Sequence, residues 1–292
     1  MWKQFEEYLR ERKKRVGAAL ALGVIADAVL LLGLFAARPA AGLYFLPVGQ
    51  GDSELIILQT GAKVLIDGGP PGGAVLNSLD AVLGPRDRYI DVVILTHPQI
   101  DHYGGLIDVL GRYGVGVFLS NGMGSGVAAY GDVGKTLAEN GVRTAALQAG
   151  GAIKTGDETF TVDWPNAAAV KAGDLNLAAM VVEYSGEGLR ALYTSDIDAK
   201  TEAAVLPNVG GTVNVLKVAH HGSKYSSSPA FLSALQPQVA VIEVGQNSYG
   251  HPAPEILQRL KDAGALVFRT DEDGLIEVSA IGGVLSASKL GL

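Results

Sequence analysis

From Leu43 onward, short apolar runs alternate with glycine-rich or polar breaks. LYFLPV, SELIILQT and KVLIDGG follow one another with VGQGD and TGAK between them, which predicts three closely spaced strands, a meander at the start of a sheet. A helix is expected over residues 73–83, stopped by Gly84 and Pro85. DVVILT then reads as a strand, followed by a polar loop and a helix over residues 104–112. VGVFLSNG predicts the next strand, residues 131–140 a helix, and the runs at 144–149, 158–164, 178–184 and 189–194 further strands. A short helix after Asp196, the strand NVLKVA, a helix over 229–235, the strand VAVIEVG, a helix over 254–263 and two final strands complete the pattern. Strands in both halves with helices between them predict an α+β fold of two packed sheets covered by helices. No linker divides residues 43–292, so they read as one domain.

The first 42 residues follow a different rule. A charged segment over residues 1–15, MWKQFEEYLRERKKR, precedes an apolar run over residues 16–37 that contains one charge, Asp27. As a helix the run would be about 33 Å long at ~1.5 Å per residue, enough to span a bilayer core. It is long for a signal peptide and no A-x-A site follows, which favours an uncleaved single-pass anchor in the cytoplasmic membrane over a cleaved signal or a buried helix. Lys13, Lys14 and Arg15 at its start, against Arg38 at its end, place the N-terminus inside and the following domain outside the cytoplasm.

Composition narrows the chemistry. With 292 residues and 48% apolar content, the chain can bury a large core. The absence of cysteine excludes disulfides, thiolate zinc sites and cysteine nucleophiles. A net charge of −7 supplies no general attraction for nucleic acid. Nothing in the pattern specifies an oligomeric state.

All five histidines fall in three motifs: His97 and His102 in THPQIDHYGG, His220 and His221 in KVAHHGS, and His251 in YGHP. Each motif follows an expected strand, so all three sit on strand-end loops, where ligating and catalytic groups gather. Asp101 and His102 are adjacent and can reach one ion. Asp196 in LYTSDID and one of the His220/His221 pair can complete the set, with imidazole and carboxylate serving zinc or manganese. If the chain is still extended at the pair, only one ring faces the ion, and His221 is the preferred ligand.

THPQIDHYGG resembles the H-x-H-x-D-H motif of the metallo-β-lactamase superfamily, with Gln99 at the second histidine position. The wider set resembles the C-terminal domain of ComEC-type competence proteins: VGQGDSELI, LIDGG, THPQIDHYGG, the Asn176 region, YTSDID, LKVAHHGSKYSSS and YGHP, in the family's order over residues 44–280. That resemblance implies an αββα sandwich with the site at the edge between the sheets, and metal-dependent hydrolysis, with phosphodiesters in DNA as substrate. The family's multi-span channel region has no counterpart here, so a stand-alone, singly anchored form is expected and DNA transport is not.

With Gln99 in place of a histidine and no histidine between His102 and Asp196, one metal position would keep His97, Asp196 and amide oxygens of Gln99 or Asn176. The other would keep Asp101, His102, Asp196 and His221. One tight ion and one weak or substrate-assisted ion are expected, and the oxygen-rich donors suit manganese as well as zinc. Metal-activated water would attack, oriented by Asp101 or Asp196, with His220 or His251 stabilising the transition state or protonating the leaving oxygen.

Several of these residues carry a plainer reading too. On that reading Gln99 only hydrogen-bonds a neighbour, His251 shapes a turn, and Asn176 more simply ends a strand. Asp52 and Asp67 are turn residues or hydrogen-bond acceptors behind the site. Ser223, Lys224, Ser226, Ser227 and Ser228 bind a phosphate on one reading, and on the other the serines form a cap before the helix at Pro229. Two other functions compete with the phosphodiesterase: hydrolysis of small esters, lactones or lipid phosphodiesters, and a non-catalytic binding module on a degenerate fold.

Overall fold

In the computed structural model, which describes residues 1–36, 39–282 and 284–291, successive residues of the central strands enter different apolar layers. Leu43, Phe45, Ile56, Val64 and Ile66 face one layer, whereas Tyr44, Leu55, Ile57 and Leu65 face another. Both sides of each strand are therefore apolar, which is why these runs read as nearly continuous hydrophobic stretches.

The strands are β1 (Gly42–Phe45), β2 (Glu54–Ile57), β3 (Lys63–Ile66), β4 (Tyr89–Leu95), β5 (Gly114–Ser120), β6 (Arg143–Ala146), β7 (Ala152–Thr155) and β8 (Glu158–Trp164). They continue as β9 (Val181–Gly186), β10 (Leu189–Tyr193), β11 (Val215–Lys217), β12 (Val239–Ile242), β13 (Leu266–Arg269), β14 (Leu275–Ile281) and β15 (Val284–Leu290). The helices are α1 (Trp2–Ala36), α2 (Ala74–Leu83), α3 (Ile100–Arg112), α4 (Ala128–Glu139), α5 (Ala167–Ala172), α6 (Ala199–Val205), α7 (Pro229–Leu235), α8 (Pro254–Asp262) and α9 (Thr270–Asp273).

Among the described residues, one sheet has eight strands in the order β15, β14, β1, β2, β3, β4, β5, β6, and the other has seven in the order β13, β12, β11, β10, β9, β8, β7. Each is antiparallel on one side and parallel on the other, the parallel parts being β3 to β6 and β10 to β13. The first core layer lies between the sheets. The second joins the eight-stranded sheet to α2, α3 and α4, and the third joins the other sheet to α5 through α8. The result is a four-layer αββα sandwich. Truncating a fully buried residue such as Leu65 to alanine is expected to cost about 2–5 kcal/mol.

This topology delivers the polar motifs to one edge. Parallel β3 and β4 end together at Asp67 and His97, and parallel β10, β11 and β12 end together at Asp196, His220 and Glu243. Because β2 runs antiparallel to β3, pairing Glu54 with Ile66, Asp52, two residues before Glu54, arrives at that edge as well.

Some elements differ from expectation. Helix α3 starts at Ile100 with Gln99 as its N-cap, so Asp101 and His102 lie in its first turn rather than on a loop. The glycines that suggested a later start serve close packing: a Cβ on Gly105 would lie 2.1 Å from the Gly68 carbonyl oxygen, and one on Gly104 2.4 Å from Pro71. Helix α4 likewise begins before residue 131. The short β7 and α5 went unpredicted, and three strands rather than two follow α8.

The chain divides into Met1–Ala40 and Ala41–Leu292. Helix α1 runs unbroken through the expected boundary at residue 15. The expected membrane span over residues 16–37 finds no support here: among the described residues no helix is long and apolar enough to cross a membrane. The side chains of residues 30–37 in that expected span lie outside the described residues.

Candidate metal centre

Two carboxylates and two imidazoles converge at the sheet edge. One ligand atom from each of Asp101, His102, Asp196 and His221 lies within 4.8 Å of the others. His102 Nε2 is 3.5 Å from Asp196 Oδ2 and 4.0 Å from Asp101 Oδ2. His221 Nε2 is 3.5 Å from Asp101 Oδ2 and 3.7 Å from Asp196 Oδ1. Around a tetrahedral ion bonded at about 2.0–2.1 Å, neighbouring donor atoms stand about 3.3–3.4 Å apart, so the quartet is close to ligating separation.

Its donors are also left bare. His102 Nε2, His221 Nε2 and Asp196 Oδ1 are buried without a hydrogen-bond partner, a costly arrangement unless something else binds them. The far side of each ring explains the orientation. His102 Nδ1 lies 2.7 Å from Asp67 Oδ2, and Asp67 accepts hydrogen bonds from Thr96 N at 2.8 Å and Thr96 Oγ1 at 2.6 Å. His221 Nδ1 lies 2.9 Å from the Glu243 carbonyl oxygen and 3.1 Å from Asp52 Oδ1. With Nδ1 donating in each ring, the Nε2 lone pair is directed into the site. This donor set fits a divalent ion.

Charge is balanced from behind. Lys217, fully buried, pairs with Asp52 Oδ2. Burial alone would raise the Asp52 carboxyl, but Lys217 and then His221 hold it well below the usual carboxylate range. Burial pushes Glu54 up to about 8 and Glu243 well above its ordinary value, the neighbouring Asp52 charge adding to the first and the Glu54 charge to the second. For Asp196 burial is likewise outweighed, here by His221 and His102, so it stays ionised. Burial works against a charge on His221 too, yet Asp196 and Asp52 raise it to about 10, so an incoming ion must displace a proton.

The other expected site residues occupy a neighbouring position. The His97 ring lies tilted against His102 with centroids 4.1 Å apart, its Nδ1 lies 3.1 Å from Thr96 Oγ1 and 3.3 Å from Ser195 Oγ, and its buried Nε2 has no partner. Burial and then His102 lower its pKa to about 3, leaving a neutral ring. Gln99 Nε2 donates to Asn176 Oδ1, so these amides are joined to each other. None of the three belongs to the quartet.

The chain is not extended at the histidine pair. His220 and His221 sit in a 3₁₀ turn with φ of 52° and 53°, so alternation does not separate their rings, and His220 Nε2 also comes within 3.7 Å of Asp196 Oδ2. Gly222 must be glycine here: its φ is 80°, and a Cβ would lie 2.6 Å from that of Pro252. The contact seats His251 beside His220, with ring centroids 5.7 Å apart.

Ser228 caps α7, which supports the helix-cap reading for that serine, and Ser226 donates instead to the Ile197 carbonyl. Ser223 lines a cleft beside the site, and the Lys224 ammonium lies 5.1 Å from the Tyr225 ring centroid. Lys217, Glu54 and Glu243 were missed in the sequence, where the available signal was a charge inside an apolar run: NVLKVA, SELIILQT and VAVIEVG.

The quartet opens into a cleft of about 750 Å³ lined by Asp101, Asp196, His220, His221, Tyr249 and His251 among others. A second cleft, of about 650 Å³, meets it at Gln99, Leu175, Asp196 and His220.

The family model described as metallo-beta-lactamase superfamily matches residues 46–245. The chain belongs to this superfamily. Within the superfamily it is similar to ComE operon protein 3 of Bacillus subtilis (28% identity over 285 residues, 87% of this chain and 35% of that protein). It is similar to Competence protein ComA of Neisseria gonorrhoeae as well (28% over 279 residues, 92% of this chain and 38% of that protein). The chain thus spans a little over a third of these relatives. The superfamily fold is shared with the solved structure of the metallo-beta-lactamase fold protein YhfI from Bacillus subtilis, at a TM-score of 0.54 and 12% identity over 81% of this chain and 99% of that one.

Proposed function

We propose that the domain is a metal-dependent phosphodiesterase acting on nucleic acid. The observation that carries this reading is the convergence of bare, buried donor atoms from His102, Asp196 and His221, with the partly exposed Asp101 carboxylate beside them, at an open cleft. The competence proteins among its relatives support a DNA-related substrate. Those proteins are much longer, and DNA uptake forms no part of the proposal.

A divalent ion in the quartet would supply Lewis-acid charge at a substrate oxygen and a lower pKa for water. Zinc and manganese both suit two imidazoles and two carboxylates. Asp67 and Asp52 hold the two rings with Nε2 inward. Asp101, partly exposed, faces the cleft and can orient an attacking water by accepting its hydrogen bond. His220 is 30% exposed beside Asp196, where it can deliver a proton to a leaving oxygen. Burial and then the neighbouring His220 lower the pKa of His251, so it enters the cleft as a neutral hydrogen-bonding group. The joined amides Gln99 and Asn176 favour a single tight ion, any second one resting on His97 and Asp196.

The test is elemental analysis of the purified chain together with hydrolysis of methyl p-nitrophenyl phosphate and DNA in manganese or zinc. About one tight metal equivalent and phosphodiester cleavage, both lost in Asp101→Ala, are expected. Cleavage confined to carboxylic esters would replace this reading with the small-ester one, and a chain that binds no metal would be a binding module. An extracytoplasmic location is a separate proposal, resting on Lys13, Lys14 and Arg15 ahead of the apolar run. Protease protection of the domain in spheroplasts would overturn it.

A further inference from the structure

The rim of the cleft concentrates the domain's exposed apolar side chains. Among the described residues after Ala40, the large exposed ones are Tyr89, Ile100, Val127, Tyr225, Tyr249, Leu266 and Val284. Ile100, Val127 and Tyr249 line the first cleft and Tyr225 the second. Tyr249 and Tyr225 are the most exposed rings of the domain, at 74% and 69%. One exposed tyrosine therefore stands in each of two clefts that meet at Asp196 and His220.

On one side the rings lead inward: Tyr249 to His251 at 5.7 Å, His251 to His220 at 5.7 Å, then His220 Nε2 to Asp196 at 3.7 Å. On the other, Lys224 lies over Tyr225 and offers an ammonium group beside an open ring.

Electrostatics alone will not hold a long polyanion here. The chain carries a net charge of −7, and in the second cleft Asp174 and Asp198 outweigh Lys200. Clefts of about 750 and 650 Å³ suit a ligand of a few rings rather than a wide surface. Exposed tyrosines offer what charge does not, because every base has a face that stacks on an aromatic ring.

We propose that the cleft selects single-stranded nucleic acid, with the scissile phosphodiester over Asp196 and a base stacked on each of Tyr249 and Tyr225. This rests on the phosphodiesterase reading and adds the substrate's form. Duplex is refused because its bases are stacked on one another and have no free face for the tyrosines.

Fluorescence anisotropy with the full chain, calcium replacing manganese to hold back turnover, compares a labelled short oligothymidylate, an abasic strand of the same length and the matching duplex. The thymidylate strand is expected to bind about tenfold or more tighter than the abasic one. The advantage should vanish in Tyr225→Ala/Tyr249→Ala and persist in Tyr225→Phe/Tyr249→Phe. Equal binding of thymidylate and abasic strands, or a preference for duplex, overturns the inference. If the unaltered chain meanwhile hydrolyses methyl p-nitrophenyl phosphate, the phosphodiesterase reading survives that failure. A chain that binds manganese and hydrolyses no phosphodiester ends that reading and the placement of the scissile bond with it. Tyrosine-dependent binding to phosphatidylglycerol vesicles without binding of the thymidylate strand would assign the rim to lipid instead.

Discussion

The two halves of the site use similar residue types and differ in where their lone pairs go. In the quartet, His102 and His221 are each gripped at Nδ1 by a buried acceptor and present an unpartnered Nε2 toward Asp101 and Asp196. In the other half, Gln99 donates to Asn176, and His97 alone offers a buried lone pair beside Asp196. An ion gains little by separating amides that already satisfy each other, whereas it relieves several unpartnered atoms in the quartet. Ligand geometry is thus made as much by the residues behind the donors as by the donors themselves.

Removing a donor should break the comparison most strongly. Asp101→Ala and His221→Ala are expected to lower manganese affinity by more than about a hundredfold, beyond the ~10- to 100-fold typical of partners behind the ligands, as read by isothermal titration calorimetry. Unchanged affinity would mean that the quartet does not hold the ion. Asp67→Asn, which leaves His102 weakly gripped, should fall in that ~10- to 100-fold range.

The buried ion pair is the next lever. Lys217→Met strands the Asp52 carboxylate in the interior and should cost about 3–5 kcal/mol in urea unfolding. Asp52→Asn/Lys217→Met should recover much of that stability because no charge is left uncompensated. If the double variant is as unstable as the single one, packing rather than charge explains the loss.

The Glu54 and Glu243 pair gives a pH test. Burial, then the Asp52 charge, raises Glu54 to about 8 from an ordinary 4.5, so the folded state holds its proton more tightly than the unfolded one. Its contribution to stability is fully present below about pH 4.5 and is lost as pH rises through about 8. Glu54→Gln should flatten the metal-free melting temperature over that window; a parallel curve would exclude Glu54 as the titrating group.

The smallest effect is expected where the amides meet. Gln99→Ala should change manganese affinity of the quartet less than about threefold, well under the ~10-fold lower bound for a supporting partner. Gln99→His should instead raise the bound metal toward two equivalents. A large loss from Gln99→Ala would make the two halves one cooperative site.

Much of the architecture was legible because strands buried on both faces leave long apolar runs, and glycines and prolines punctuate them. The start of α3 was not, since Gly104 and Gly105 look like a break until Pro71 and Gly68 are seen against them. Nor was the conformation of the histidine pair: the left-handed φ of His220 and His221 answers to the Pro252 contact at Gly222 and to the Ser195 carbonyl that accepts from His220 N. The apolar run near the N-terminus reads as a bilayer span by length, and among the described residues no helix is long and apolar enough to cross a membrane.

By itself the sequence determined which groups are available: five histidines in three motifs, no thiol, and carboxylates at expected strand ends. Tertiary structure alone decided which of them face one another and which nitrogen each ring presents. The partners that aim them are remote in the chain: Asp67 is 35 residues from His102, Glu243 is 22 from His221, and Lys217 is 165 from Asp52. Lone-pair direction depends on those contacts, and they exist only once the two sheets have packed and brought their parallel strand ends to one edge.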